Sequence, residues 1–157
     1  MVIPLEQGVI GVSHDDADLV NWQEFARARA ELAAAFARIL GYFREDGDKA
    51  IGLIEQAFRS RNAAALVSPA HKLKGEAAQF GAHRLSAMAE EIEMVARRCV
   101  ESHEGPDELI EIVVSLRPCF AETLTLLDRE VNPPAPRKAA GFGRRAPGAA
   151  IGFGRAG

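Results

Sequence analysis

Three large apolar residues recur at seven-residue intervals in the middle of this chain: Leu66, Leu73 and Phe80. At about 100° per residue, an α-helix places all three on one stripe, with Ala77 close beside it. The spacing therefore predicts a helix over 63–80. Asn62 stands where an N-cap belongs, and Gly81 fits a left-handed C′ position that ends the helix. With His71 set to zero on the same wheel, Leu73 lies near 200° and Phe80 near 180°, while Ala78 lies about 20°, Gly75 about 40° and Lys74 about 60° away. The pattern buries the leucines and the phenylalanine. It leaves the His71 imidazole in water, between an ammonium and a residue with no side chain.

Pro69 complicates this helix. Inside a regular helix it removes a donor and clashes with the carbonyl of Ala65, at a cost of about 3 kcal/mol. Either the helix kinks one turn before His71, or Ser68 is an N-cap and Pro69 the first residue of a restarted helix. The kink is the favoured reading.

Helical periodicity continues on both sides. Asn21 reads as an N-cap, and Trp22, Phe25, Ala26, Leu32, Ala33, Phe36, Ile39, Leu40 and Phe43 follow it at helical spacing, predicting a helix that ends near Glu45. Asp46-Gly47-Asp48 reads as a break. Asp48 would then cap a further helix carrying Ile51, Leu53, Ile54, Ala57 and Phe58 and ending near Arg61. A helix over about 82–102 buries Leu85, Met88, Ala89, Ile92, Val95, Ala96 and Cys99, and leaves Glu90, Glu91, Met94, Arg97 and Arg98 outside. Gly105-Pro106-Asp107 opens the last helix, faced by Leu109, Ile112, Val113, Leu116, Phe120, Leu124 and Leu127; Pro118 predicts a kink in it.

Abundant alanine and 48% apolar residues support a helical chain with a real core. Residues 1–20 read as an irregular segment and 132–157 as a disordered basic tail, in which Gly-Phe-Gly-Arg occurs at 141–144 and 152–155. A sharper reading of the tail is a basic arm for an acidic partner. The tail carries Arg137, Lys138, Arg144, Arg145 and Arg155, whereas all 22 acids precede it; 14 cations against those acids leave the body at −8. That charge argues against nucleic acid as the main partner. Cys99 and Cys119 lack metal-site or CxxC spacing and read as reduced, packed thiols. No apolar run reaches membrane-spanning length, and Met1-Val2-Ile3-Pro4-Leu5-Glu6 is not a signal peptide, so a cytoplasmic location is expected, with no membrane partner. His14, His83 and His103 read as surface residues.

The chemistry concentrates at His71. An unperturbed imidazole, with a pKa of about 6.5, is mostly neutral near pH 7 and is then a nucleophile. A lysine one turn away can pair with phosphoryl oxygens once they sit on the ring. The run His71-Lys72-Leu73-Lys74-Gly75-Glu76-Ala77, closed by Phe80-Gly81-Ala82, resembles the histidine-containing phosphotransfer (HPt) domain family. The resemblance spans roughly residues 30–130 and includes Phe43 and Asp46, a Phe-x-x-Asp pair leading into a bundle helix. Where the family usually has a small or hydroxyl residue after the glycine, this chain has Glu76, which the wheel places about 140° from His71.

The resemblance implies an all-α fold: an up-down antiparallel four-helix bundle over 21–131, with an additional N-terminal helix. It also implies a phosphocarrier rather than an enzyme with its own ATP site. His71 would accept a phosphoryl group from a phospho-aspartate of a hybrid histidine kinase receiver and pass it to a response regulator receiver. Lys74 would stabilise phosphoryl charge and Gly75 give clearance, with Lys72, Ala78 and Gln79 touching the partner. No cofactor or metal is expected on this chain, the Mg²⁺ belonging to the receiver, and a monomer is expected. The alternative is a helical adaptor or inhibitor that binds receivers or kinases without carrying phosphate. A histidine kinase dimerisation domain would need a following ATP domain.

Overall fold

A computed structural model describes residues 19–132; the expectations for the segment before Leu19 and the tail after Asn132 fall outside the described residues. Among the described residues, five α-helices run in order from Trp22: α1 Trp22–Leu32, α2 Phe36–Arg59, α3 Ala63–Gln79, α4 His83–Ser102 and α5 Ile110–Val131. Short 3₁₀ turns, Ala33–Ala35 and Asp107–Leu109, precede α2 and α5. No strand occurs among the described residues. The four long helices α2–α5 form the up-down bundle, and α1 is the additional N-terminal helix. The chain divides into two compact units, 1–127 and 128–157; of the second, the described part is the last turn of α5 and Asn132.

Both asparagine caps form as the sequence predicts. Asn21 Oδ1 accepts from the amides of Gln23 and Glu24 at 3.1 and 3.2 Å, and Asn62 Oδ1 accepts from the amide of Ala65 at 3.0 Å. Gly81 takes φ +73°, and the end of α3 is a Schellman motif. The amide of Ala82 donates to the Ala77 carbonyl at 2.9 Å, and that of Gly81 to the Ala78 carbonyl at 3.1 Å. The freed carbonyl of Gly81 accepts from the amide of Asn21 at 2.8 Å, which fixes the start of α1 to the end of α3.

Two sequence expectations change. The first long helix does not run from Trp22 to Glu45: Ala33, at φ 48° and ψ −119°, interrupts it, and α2 starts at Phe36. That break turns Phe36 inward, edge-on to both Phe25 and Phe80 at 5.4 and 5.6 Å between ring centroids. Second, Asp46-Gly47-Asp48 is no break. The three lie inside α2, and Asp48 caps nothing; it instead accepts from Arg117 Nη1 of α5 at 2.7 Å. The restart offered as the alternative at Pro69 does not occur: Pro69 lies inside the single helix α3, as Pro118 lies inside α5. Three residues placed on apolar faces, Ala26, Ala33 and Leu53, are exposed.

A line of aromatic rings runs through the core. Phe80, fully buried, also stacks on Phe43 at 5.2 Å, and Phe43 meets Phe120 edge-on at 5.7 Å. One chain of rings thus joins α1, α2 and α5 to the end of α3. Along α3 itself Leu66, Ala70, Leu73 and Ala77 have no exposed surface. Burying each leucine contributes about 1.5–3 kcal/mol, so the rotation of α3 about its axis is strongly fixed. That rotation decides which residues face water.

Candidate functional site

His71 lies in mid-helix on the face of α3 opposite the leucines, and its side chain is 64% exposed. This is where the wheel puts it. The neighbour that the sequence reading missed is Glu93 of α4. It is a buried carboxylate, only 7% exposed, and its Oε2 lies 3.1 Å from His71 Nδ1.

Glu93 gathers three basic side chains. Arg97, one turn further along α4, donates to Oε2 through Nη2 at 2.7 Å and Nε at 3.2 Å. Lys74 Nζ stands 3.0 Å from Oε1 as an ion pair, although no aligned hydrogen bond reaches that oxygen. The Arg97 hydrogen bonds, reinforced by Lys74 and His71, outweigh burial and hold the Glu93 carboxyl well below its ordinary range, at about 2. The group is therefore an anion at neutral pH. Ser86 of α4 ties the two helices together nearby, its hydroxyl donating to the Lys74 carbonyl at 3.0 Å.

A sequence signal for Glu93 did exist. It lies about 80° from Leu85 on the α4 wheel, at the edge of the apolar stripe, with an arginine four residues later. A carboxylate at the rim of a buried stripe, followed by an i+4 cation, is a candidate for a partly buried pair. Arg97, expected to be merely solvated, is 58% exposed but committed to Glu93.

The other predicted residues divide into two groups. Gly75 is exposed, and a Cβ built there would meet nothing within 4 Å. No neighbour in this structure needs that position to be glycine, although glycine costs about 1 kcal/mol in a helix interior. Ala78 and Gln79 are exposed and line an open groove whose other wall is Glu24, Arg27, Glu31 and Leu32 of α1. Lys74 is less exposed than the wheel suggested, at 31%, because it leans onto Glu93.

Lys72 turns the other way, toward α2. Its Nζ lies 3.5 Å from Asp46 Oδ2 and 3.7 Å from Glu76 Oε2. Glu76 points away from His71, as its wheel angle requires. Burial, with Asp46 adding to it against the pull of Lys72, pushes the Glu76 carboxyl above its ordinary value. The two lysines of the motif thus serve different helices: Lys74 faces α4 and Lys72 faces α2.

Among the described residues no group of three or more His, Cys, Asp or Glu side chains is placed to hold a metal ion, and no helix is long and apolar enough to cross a membrane. Cys99 and Cys119 are buried free thiols.

Comparison with known proteins bears on the family and the fold. A family model described as "Hpt domain" matches residues 38–130, more than half of the chain. Among solved structures, the chain is similar to histidine-containing phosphotransfer protein B (HptB) from Pseudomonas aeruginosa PAO1. The TM-score is 0.63 at 23% identity, covering 73% of this chain and 95% of that one. It is also similar to a putative histidine-containing phosphotransfer protein from rice, with a TM-score of 0.58 at 17% identity, covering 81% of this chain and 96% of that one. At these identities the structural likeness speaks for the fold. No curated protein sequence matches.

Proposed function

Because the chain belongs to the Hpt domain family, we propose that it is a phosphorelay intermediate that accepts a phosphoryl group on His71 from a phospho-aspartate of a receiver domain and passes it to a response regulator, or takes it back. An Hpt domain is a phosphocarrier and not a kinase. The observation that carries the residue assignment is the pairing of an exposed imidazole with a buried carboxylate at Nδ1.

That pairing selects a tautomer. With the ring proton on Nδ1 and donated to Glu93, Nε2 keeps its lone pair. The lone pair attacks phosphorus, the O–P bond of the phospho-aspartate breaks, and the aspartate leaves with the electron pair as a carboxylate. The ring becomes cationic as the N–P bond forms, and the Glu93 carboxylate offsets that charge. No proton has to leave Nε2. Return of the phosphoryl group to an aspartate is the same path reversed.

Lys74 supplies positive charge for the phosphoryl oxygens. Gly75 leaves room for the receiver to approach, and Ala78, Gln79 and Lys72 contact it. The two receivers are those of a hybrid kinase and of a response regulator. We place the protein in the cytoplasm, where its two buried thiols stay reduced.

The test is to incubate the protein with a phosphorylated receiver and look for acid-labile, base-stable label. Wild type is expected to take it up and His71→Gln to take up none. An unlabelled wild type would favour an adaptor that binds receivers without carrying phosphate. Undiminished label on the variant would remove His71 as the acceptor.

A further inference from the structure

Glu93 is held unequally by its two full cations. Arg97 makes two hydrogen bonds to Oε2, the oxygen that also meets His71 Nδ1. Lys74 makes an ion pair with Oε1 but no aligned hydrogen bond. The arginine is planar and sits on the same helix as the carboxylate, whereas the lysine ammonium is a point charge on a flexible stem from the neighbouring helix. If Lys74 moves away, Arg97 can still compensate the buried anion. If Arg97 is lost, Glu93 keeps only the weaker partner, and nothing fixes the plane of the carboxylate against the imidazole.

Resting on the phosphocarrier reading, we propose that Arg97 is a positioning residue: it holds Glu93 against His71 while Lys74 turns from Glu93 to the arriving phosphoryl group. Lys74 then has two alternative anionic partners within reach of one side chain, and Arg97 makes the exchange possible. A dianionic phosphoryl group competes for the ammonium better than a carboxylate that already has an arginine. Arg97 never touches the phosphoryl group in this scheme. It acts through Glu93 on the ring, and through Glu93 on the freedom of Lys74.

The experiment uses the full chain and two readouts. The first is the ¹⁵N chemical shifts of the His71 ring without phosphate, which report which nitrogen carries the proton. The second is the rate of labelling by phosphoramidate, a small donor that needs no docking surface; its P–N bond breaks and the nitrogen leaves as ammonia with a proton from water. Arg97→Ala is expected to mix the two tautomers and to slow labelling roughly tenfold, about one decade of barrier. Arg97→Lys keeps the charge but loses the planar two-point hold, and should restore part of the labelling rate but little of the tautomer preference. Arg98→Ala removes a neighbouring cation that pairs with Glu108 instead, and should leave both readouts at wild-type values.

Unchanged tautomer and rate in Arg97→Ala would overturn the proposal. So would an equal loss in Arg98→Ala, which would trace the effect to net charge. Arg97 is 58% exposed, so its truncation leaves the core intact, and circular dichroism of each variant checks this. A wild type that takes no label from either phosphoramidate or a phosphorylated receiver defeats the phosphocarrier reading and the lysine exchange with it. A wild type that labels normally while Arg97→Ala matches it defeats the exchange alone.

Discussion

The ring of Phe120 lies directly on the backbone of Gly47: a Cβ built at Gly47 would stand 2.6 Å from two atoms of that ring. The glycine is therefore a contact surface for α5 inside a continuous α2. By intrinsic propensity Gly47→Ala should favour the helix by about 1 kcal/mol. The expected result is the reverse, a loss of about 1–3 kcal/mol, because a buried ring must shift. Urea unfolding measures it. Phe120→Leu in the same chain should recover part of the loss, and additive effects of the two changes would contradict the contact.

Gly75→Leu is the opposite case. The site is open, so the variant should be as stable as wild type or more so, by up to about 1 kcal/mol. Transfer from a phosphorylated receiver should fall at least about tenfold, whereas labelling by phosphoramidate should stay near normal. Normal transfer from the receiver would show that no partner needs the clearance.

Lys74→Ala and Leu73→Ala separate the two faces of α3. Leu73 is fully buried, so its truncation should cost about 2–5 kcal/mol, with transfer retained by the molecules that remain folded. Lys74 rests on a buried carboxylate oxygen. Its loss should slow transfer and also cost about 1–3 kcal/mol, because Glu93 Oε1 is left without a partner. Thermal melts beside transfer rates check both.

Two carboxylates give opposite pH signatures. Glu93 is held at about 2, below an ordinary value of 4.5, so its contribution is complete above that ordinary value and is lost as the pH falls from there through about 2. Wild type should therefore exceed Glu93→Gln in stability at pH 7, and the gap should close across that window. Glu76 is pushed up, so its charged form is a liability at neutral pH. Glu76→Gln should melt above wild type at pH 7, and this gain should fade as the pH falls through the raised folded-state value and be gone below the ordinary carboxylate value. Acid titrations followed by circular dichroism measure both.

Much of this was legible in the residues. The seven-residue spacing of Leu66, Leu73 and Phe80 placed His71 in water, because burial of large side chains fixes the rotation of a helix. Asn21, Asn62 and Gly81 marked boundaries through local hydrogen bonding, which depends on few neighbours. What escaped depended on a second helix. Gly47 looks like punctuation until Phe120 is seen against it. The turn at Ala33 has no local marker, since its reason is the packing of Phe36 on Phe25 and Phe80. The apolar periodicity of α4 passes over Glu93, because its place beside His71 and Lys74 comes from α3.

Gly81 ends α3 in a left-handed turn, and its carbonyl also accepts from the amide of Asn21, the N-cap of α1. A Cβ at that position would stand 2.6 Å from the Asn21 carbonyl oxygen. In mechanical terms, the two walls of the groove lined by Glu24, Arg27, Ala78 and Gln79 share one hinge pin, two residues beyond Gln79. A load applied to α1 is thus delivered to the end of the histidine helix at this glycine as well as through the rings of Phe25, Phe36 and Phe80, and a wedge at the glycine would unseat both walls together.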